Sequence, residues 1–309
     1  MKEFFNIIFS VGFGYAILRV TTPILFAALG ALISDKAGVI NIALEGIMLI
    51  SALTGVVFSA LTGNVWIGLL AAVVIGGLIG IFLAYFSLNL KTDIILAGIA
   101  LNLMASGGTI FFLYLIAKDK GISTSLKSGV LPKLTIPLIN KIPVLGPILS
   151  GHNVLTYVSL IAVGVVAYVL YKTPLGLRIR SVGENPDAAA SVGVNVVKTK
   201  YIALALSGVL AGFGGAYMSM GYVSWFSKNM TAGRGFIALA AEAMGAGTPL
   251  GTFLTSLLFG CADALSNSLQ SLKIPSEFVQ MIPYLATIIG LVVYSTRKTS
   301  KGKKIRREN

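Results

Sequence analysis

Three carboxylates, Glu45, Glu242 and Asp263, interrupt runs of apolar residues, and one guanidinium, Arg234, stands at the start of the run that holds the second of them. Charged groups inside hydrocarbon are costly and persist where they line a solute path, carry a proton or pair with one another. Arg234 can pair with one of the three acids, and an acid left without a cation would suit proton carriage. Asn41, Asn102, Asn267 and Gln270 add amides that both donate and accept, as recognition of a base edge or a sugar hydroxyl requires. The competing role for each amide is a hydrogen bond between helices. Phe236 completes the set of pathway candidates. One histidine, His152, and one cysteine, Cys261, cannot build a metal site or a hydrolytic triad. His152 follows a glycine at the edge of an apolar run and is expected to be inert. No G-x-x-x-x-G-K-[ST] stretch occurs, so the chain cannot cradle nucleotide phosphates by itself.

The elements that must position these groups are membrane spans. Hydrophobic residues make up 56% of the 309 and charged residues only 11%, with a mean hydropathy of +0.88. Soluble domains carry about a quarter charged residues, so an all-α polytopic membrane protein of about eight to ten spans is expected. The first apolar run, Phe4 to Ile33, is one long kinked span or a shallow segment followed by a span, and it is too long for a signal-peptide core. Further spans are expected near Val39–Leu61, Val65–Leu88, Ile94–Ala117, Val154–Tyr171, Tyr201–Tyr222, Gly251–Leu272 and Ser276–Ser295. A short Gly-bounded helix, Gly233–Met244, is counted with them as a crossing. Ala72, Gly76, Gly80 and Ala84 recur every four residues, as do Gly208, Gly212 and Ala216, and each set forms a stripe for close helix packing.

The net charge of +13 is spread in a telling way: seven of the 24 basic residues lie between Arg297 and Arg307, five between Lys172 and Lys200, and five between Lys118 and Lys141. Basic residues beside spans follow the positive-inside rule and anionic headgroups, and no separate basic domain for nucleic acid is present. Residues 1–296 are expected to form the membrane domain and 297–309 a basic cytoplasmic tail. The Pro-containing interruption at 118–152 and the interruption at 172–200 are divided by one span and must face opposite sides. Counting four crossings from 201 onward puts the tail and the 172–200 loop together in the cytoplasm and the 118–152 loop outside. Trp225 and Phe226 fall in an outer loop as interface anchors.

Within residues 172–200 a very short helix is signalled at both ends. Asn185 suits the N-cap, Pro186 the first turn, Asp187 the positive end of the dipole and Gly193 the left-handed stop. A helix of about two turns is marginal alone in water, and Ala188, Ala189 and Ala190 offer it a small-residue surface that another protein could cover. A docking element is one reading, and an ordinary loop with a helical turn the other. A faint repeat aligns Gly38 with Gly233, bringing Ile42, Ala43 and Leu44 opposite Ile237, Ala238 and Leu239, with Glu45 and Glu242 following. Repeated halves with broken helices near the midplane are a transporter design.

The stretch GENPDAAASVGVN resembles the cytoplasmic coupling segment of ABC importer permeases of the ribose, branched-chain amino acid and nucleoside type. GVINIALEGIML, GIALNLMASG, GRGFIALAAEAMGAGTPLG and LLFGCADALSNSLQ agree with that family in order, so the resemblance covers residues 20–295 and is nearest to the nucleoside permeases. It implies a permease fold with pseudo-repeated halves in a bacterial-type cell membrane. The partners it implies are a second, related permease chain, a separate ATPase that holds ATP and Mg, and an extracellular substrate-binding lipoprotein. No cofactor is expected in this chain. Gly183, Glu184, Asn185, Pro186, Asp187, Ala188, Ala189, Ala190 and Gly193 would contact the ATPase, with Arg178 and Arg180 on its acidic surface or on headgroups. The implied cargo is a nucleoside, with ribose, another simple sugar or a branched-chain amino acid as alternatives. The competing class is a proton-coupled secondary transporter using Glu45, Glu242 or Asp263.

Overall fold

The computed structural model describes residues 10–137 and 145–269, together with positions 285, 288, 290 and 292. Apart from those four positions, the expected span at 276–295 lies outside the described residues, as do the basic tail and Gln270.

Seven described helices are long and apolar enough to cross a bilayer. In chain order they are α1 (Val11–Lys36), α2 (Leu44–Thr62), α3 (Val65–Ala84, extended by a π-helical turn at Tyr85–Asn89), α4 (Ile94–Ala117), α6 (Val154–Lys172), α9 (Val196–Met220) and α11 (Pro249–Leu269). The shorter helices are α5 (Leu145–Leu149), α7 (Pro174–Glu184), α8 (Pro186–Ser191) and α10 (Arg234–Met244). Local sequence accounts for most of the ends. Asn64, Asp93, Asn153 and Asn195 each turn a side-chain oxygen onto a free backbone N–H in the first turn of the following helix. Gly63 closes α2 with φ of 65°, a left-handed value that suits a residue without Cβ.

The two small-residue stripes face each other. A Cβ on Gly76 would meet the carbonyl oxygen of Gly208, one on Gly208 the carbonyl oxygen of Gly76, and one on Gly80 that of Leu204. The α3–α9 contact is accordingly the most extensive in the bundle. Lipid offers no hydrophobic drive for helix association, so close backbone approach and dispersion hold the pair. On its other side α9 packs against α1 and α2, and α1 is covered further by α10 and α11. Ile24, Leu25, Leu29, Leu32, Leu44 and Met48 form the center of this core, each 1% exposed or less.

Two segments depart from the expected spans. Between α1 and α2 the chain is irregular from residue 37 to 43, with Gly38 at φ of 70°. After α9, residues 221–233 are also irregular and lead into α10. Eleven residues rise about 16 Å, half of a hydrocarbon core, so α10 does not span alone as the count of crossings assumed. The stretch from Gly221 to Gly247 connects the two ends of the bundle as a loop joined to a half-helix. At one end Phe226 and Ser123 exchange hydrogen bonds; at the other, a Cβ on Gly247 would touch the Lys36 ammonium.

The 118–137 segment folds over the end formed by α2, α9 and the start of α6. Leu131 N–H donates to the Met220 carbonyl, and Lys133–Leu134 pairs antiparallel with His152–Asn153. Residues 172–200 lie at the opposite end. They hold an additional helix, α7, that the sequence reading leaves as loop; Thr173 caps it and Pro174 occupies its first turn.

Candidate functional site

The two irregular segments, placed in register by the faint repeat, meet in the structure. Glu45, in the first turn of α2, reaches across to the start of α10. Its Oε1 accepts from Gly233 N–H at 2.8 Å and its Oε2 from Gly235 N–H at 2.7 Å. Helix N-termini leave N–H groups without internal partners and favour negative charge, so this carboxylate caps a helix other than its own. A Cβ on Gly235 would collide with the Glu45 backbone, which makes that glycine a condition of the contact. Gly233 stands at φ of 79°, as left-handed as Gly38 in the aligned position.

A second polar group joins α10 to α11. Arg234 Nη2 lies 2.8 Å from Asp263 Oδ2, the one ion pair among the described residues, and Asn267 Nδ2 approaches Asp263 Oδ1 at 3.4 Å. Pairing satisfies the charge that burial penalises. The asparagines at the α1–α2 break and facing it are spent on protein partners: Asn41 Nδ2 donates to the Ser207 hydroxyl at 2.9 Å while its Oδ1 accepts from Ala43 N–H. Asn102 on α4 accepts from Gly46 N–H at 2.7 Å and donates to the Ile42 carbonyl at 2.9 Å.

Glu45, Asn41, Asn102, Arg234 and Asp263 thus form one structural node around two helix starts, and the amides take the interhelical role. Phe236 stands half-exposed at its edge and Asn267 is exposed. Glu242 is separate, 8% exposed and two turns along α10 toward Asp35 and Lys36. Proton carriage by Glu45 or Asp263 finds no support here, because each carboxylate already serves two partners or a cation.

The short helix α8 has the ends its sequence signals. Asn185 Oδ1 accepts from Asp187 N–H at 3.1 Å and Ala188 N–H at 3.0 Å, and Gly193 sits at φ of 84°. The expected alanine surface needs correction. Successive residues on a helix point about 100° apart, so Ala188 and Ala190 are exposed while Ala189 is buried at 3%. Val192 supplies the missing outer surface, at 80% exposure. Behind α8, Gly183 lies against the chain reversal after α1, where a Cβ would run into the Lys36 carbonyl. Arg178 is exposed; Arg180 lies over the Tyr171 ring at 5.2 Å.

His152, expected to be inert, is held by structural contacts. It is fully buried, stacks on Tyr15 with ring centroids 3.9 Å apart, and engages Tyr222 Oη at 3.2 Å and the Ile148 carbonyl at 2.8 Å. Burial holds its imidazole below the ordinary 6.5. Of the two expected interface anchors only Trp225 is half-exposed; Phe226 is fully buried in the protein core, because the 118–137 segment covers it. Sequence spacing gave no signal for the Tyr15–His152–Tyr222 cluster, whose members are 70 residues or more apart.

Seven spans among the described residues, a broken segment capped from a neighbouring helix and a small capped knob at one end define a polytopic helical membrane protein. The fold is shared with an inward-facing structure of a putative metal-chelate type ABC transporter, at a TM-score of 0.54 and 17% identity over 94% of this chain and 88% of that one. The chain belongs to the family of the branched-chain amino acid transport system permease component, whose model matches residues 15–291. It is 39% identical to the nucleoside ABC transporter permease protein NupC of Lactococcus lactis subsp. cremoris, over 89% of each chain. It is 37% identical to the guanosine ABC transporter permease protein NupQ of Bacillus subtilis, over 91% of each. A putative glucose ABC transporter permease protein of Haloferax volcanii, TsgC13, shares 35% over 86% of this chain and 80% of its own length.

Proposed function

We propose that this chain forms half of the translocation pathway of an ABC importer for nucleosides. A second, related permease completes the pathway, an extracellular lipoprotein delivers the nucleoside, and a separate ATPase bearing ATP and Mg engages α8 from the cytoplasm. The basic tail lies on that same side. Similarity to nucleoside and guanosine permeases over about nine-tenths of the chain carries the substrate reading.

The geometry of the node supports a neutral cargo. In transporters with broken helices, the positive end of a half-helix often receives an anionic substrate group. Here the N-terminus of α10 is filled by Glu45 from the same chain. An amino-acid carboxylate is denied that seat, whereas an uncharged nucleoside or sugar does not need it. Between those two, relatedness to TsgC13 keeps a sugar as the second reading.

On the coupling side, α8 offers Ala188, Ala190 and Val192 outward and rests through α7 on the end of α1. Closure of an ATPase dimer would press this knob and move the α1 end with it. The test is uptake of labelled guanosine, adenosine, ribose and glucose by cells with and without the gene. Loss of nucleoside uptake on deletion, restored by the wild-type chain and not by Ala190→Asp, is expected. Loss of glucose or ribose uptake with nucleoside uptake intact would overturn the substrate reading. Full uptake with Ala190→Asp would overturn the docking role of α8.

A further inference from the structure

A groove runs along α4, between it and α3 near the α3–α4 turn and between it and α2 farther on. Near the α3–α4 turn it opens into a cavity of about 440 Å³ lined by Phe82, Phe86, Leu96 and Met104, and farther on into one of about 300 Å³ lined by Leu53, Phe58, Met104 and Phe112. Met104 borders both cavities of the groove. The stripe of α4 residues from Leu96 to Ile116 that lines it rises about 30 Å, the full hydrocarbon thickness. Although α3 and α4 are joined by a short turn, they touch little, because the groove separates them.

The lining has almost nothing for a polar solute. Thr54 donates its hydroxyl to the Ile50 carbonyl and Thr109 donates to that of Ala105, so both are spent within their own helices. Phe82, Leu96, Met104 and Phe112 are each between 44% and 64% exposed, so the groove is open along its flank. Its occupant is therefore hydrocarbon or another apolar helix.

The mouth decides between them. The turn beneath the groove, from Asn89 to Asp93, carries Lys91, exposed and held at φ of 56°. Asp93 makes no ion pair with it, and its Oδ1 accepts from the Ile95 and Leu96 N–H groups as the cap of α4. Tyr201 at the start of α9 donates its hydroxyl to Asn89, which brings the neighbouring Lys200 to the same end. Cations at the membrane boundary beside an apolar groove fit a molecule with an anionic head and a hydrocarbon tail.

We propose that the α3–α4 groove is a binding site for one anionic phospholipid, its acyl chain along Leu96 and Met104 and its phosphate at Lys91. The site lies on the flank of the permease, independent of the cargo it carries.

The test is native mass spectrometry of the permease complex purified from membranes and supplied with phosphatidylglycerol or with phosphatidylcholine bearing the same chains. One tightly held phosphatidylglycerol per copy of this chain is expected. Lys91→Gln should cut its preference over phosphatidylcholine by about five-fold, the effect of one lysine near a headgroup. Ala100→Trp, which fills the groove, should expel both lipids, and inorganic phosphate should compete with neither. Equal retention of the two lipids, or an unchanged preference in the surface variant Lys91→Gln, overturns the proposal. So does a photo-crosslink from a benzophenone amino acid placed at Met104 to a second permease chain, which would make the groove a protein interface.

Discussion

Replacing Glu45 separates a helix cap from a proton carrier. Its two oxygens accept backbone N–H groups of Gly233 and Gly235 at 2.8 and 2.7 Å. Hydrogen bonds to a charged group contribute about 1.5–3 kcal/mol each, and a carboxylate at a helix start adds up to about 1 kcal/mol through the dipole. The side chain is partly exposed, and water will replace some of what is lost, so Glu45→Ala should cost about 3 kcal/mol. Glu45→Gln keeps one carbonyl oxygen but turns an amide NH2 toward the other N–H, so it should cost about half as much by the same hydrogen-bond scale. At roughly 2 °C per kcal/mol for a chain of this size, the alanine variant should melt about 6 °C lower and the glutamine variant about 3 °C lower. The assay is thermal unfolding of the purified complex in detergent, read beside nucleoside uptake in cells. Capping requires melting temperature and uptake to fall together in both variants. Glu45→Gln with wild-type melting would refute the cap, and if uptake were abolished as well, proton carriage would be the better account.

Three further outcomes follow from other contacts. Asp263→Asn and Arg234→Met should each destabilise the complex by about 3 kcal/mol through the charge left behind, while the double variant recovers most of the loss in a thermal-unfolding cycle. Gly183→Val should leave the chain inserted but abolish uptake, because its side chain would displace the Lys36 carbonyl that joins α7 to α1; membrane fractionation and uptake together check this. The depressed pKa of His152 sets a pH window: stability is complete above the ordinary value of 6.5 and declines as pH falls below it, because the unfolded chain takes a proton that the buried ring refuses. Melting temperatures between about pH 7.5 and 5 should show that decline, and His152→Gln should flatten it.

Legibility in the sequence followed the range of the interaction that decides each feature. Asn185, Pro186 and Gly193 act on backbone within three residues of themselves, and α8 has the ends they specify. The glycine stripes of α3 and α9 could be read as packing faces from their spacing, but a stripe does not name its partner; only the assembled bundle sets Gly76 against Gly208. Arg234 could be expected to find an acid, and of three candidates the crossing of α10 and α11 selected Asp263.

What the sequence determined alone was class and local form: a helical membrane chain, its seven long described spans and the capped knob, all dictated by hydropathy and by contacts a turn or less apart. The tertiary structure decided what the polar residues are for. Glu45 looked like a charge stranded in a span, because its partners are backbone N–H groups 188 and 190 residues away that carry no side-chain signature. His152 looked inert for the same reason, since Tyr15 and Tyr222 reach it only after the outer segments have folded over the bundle.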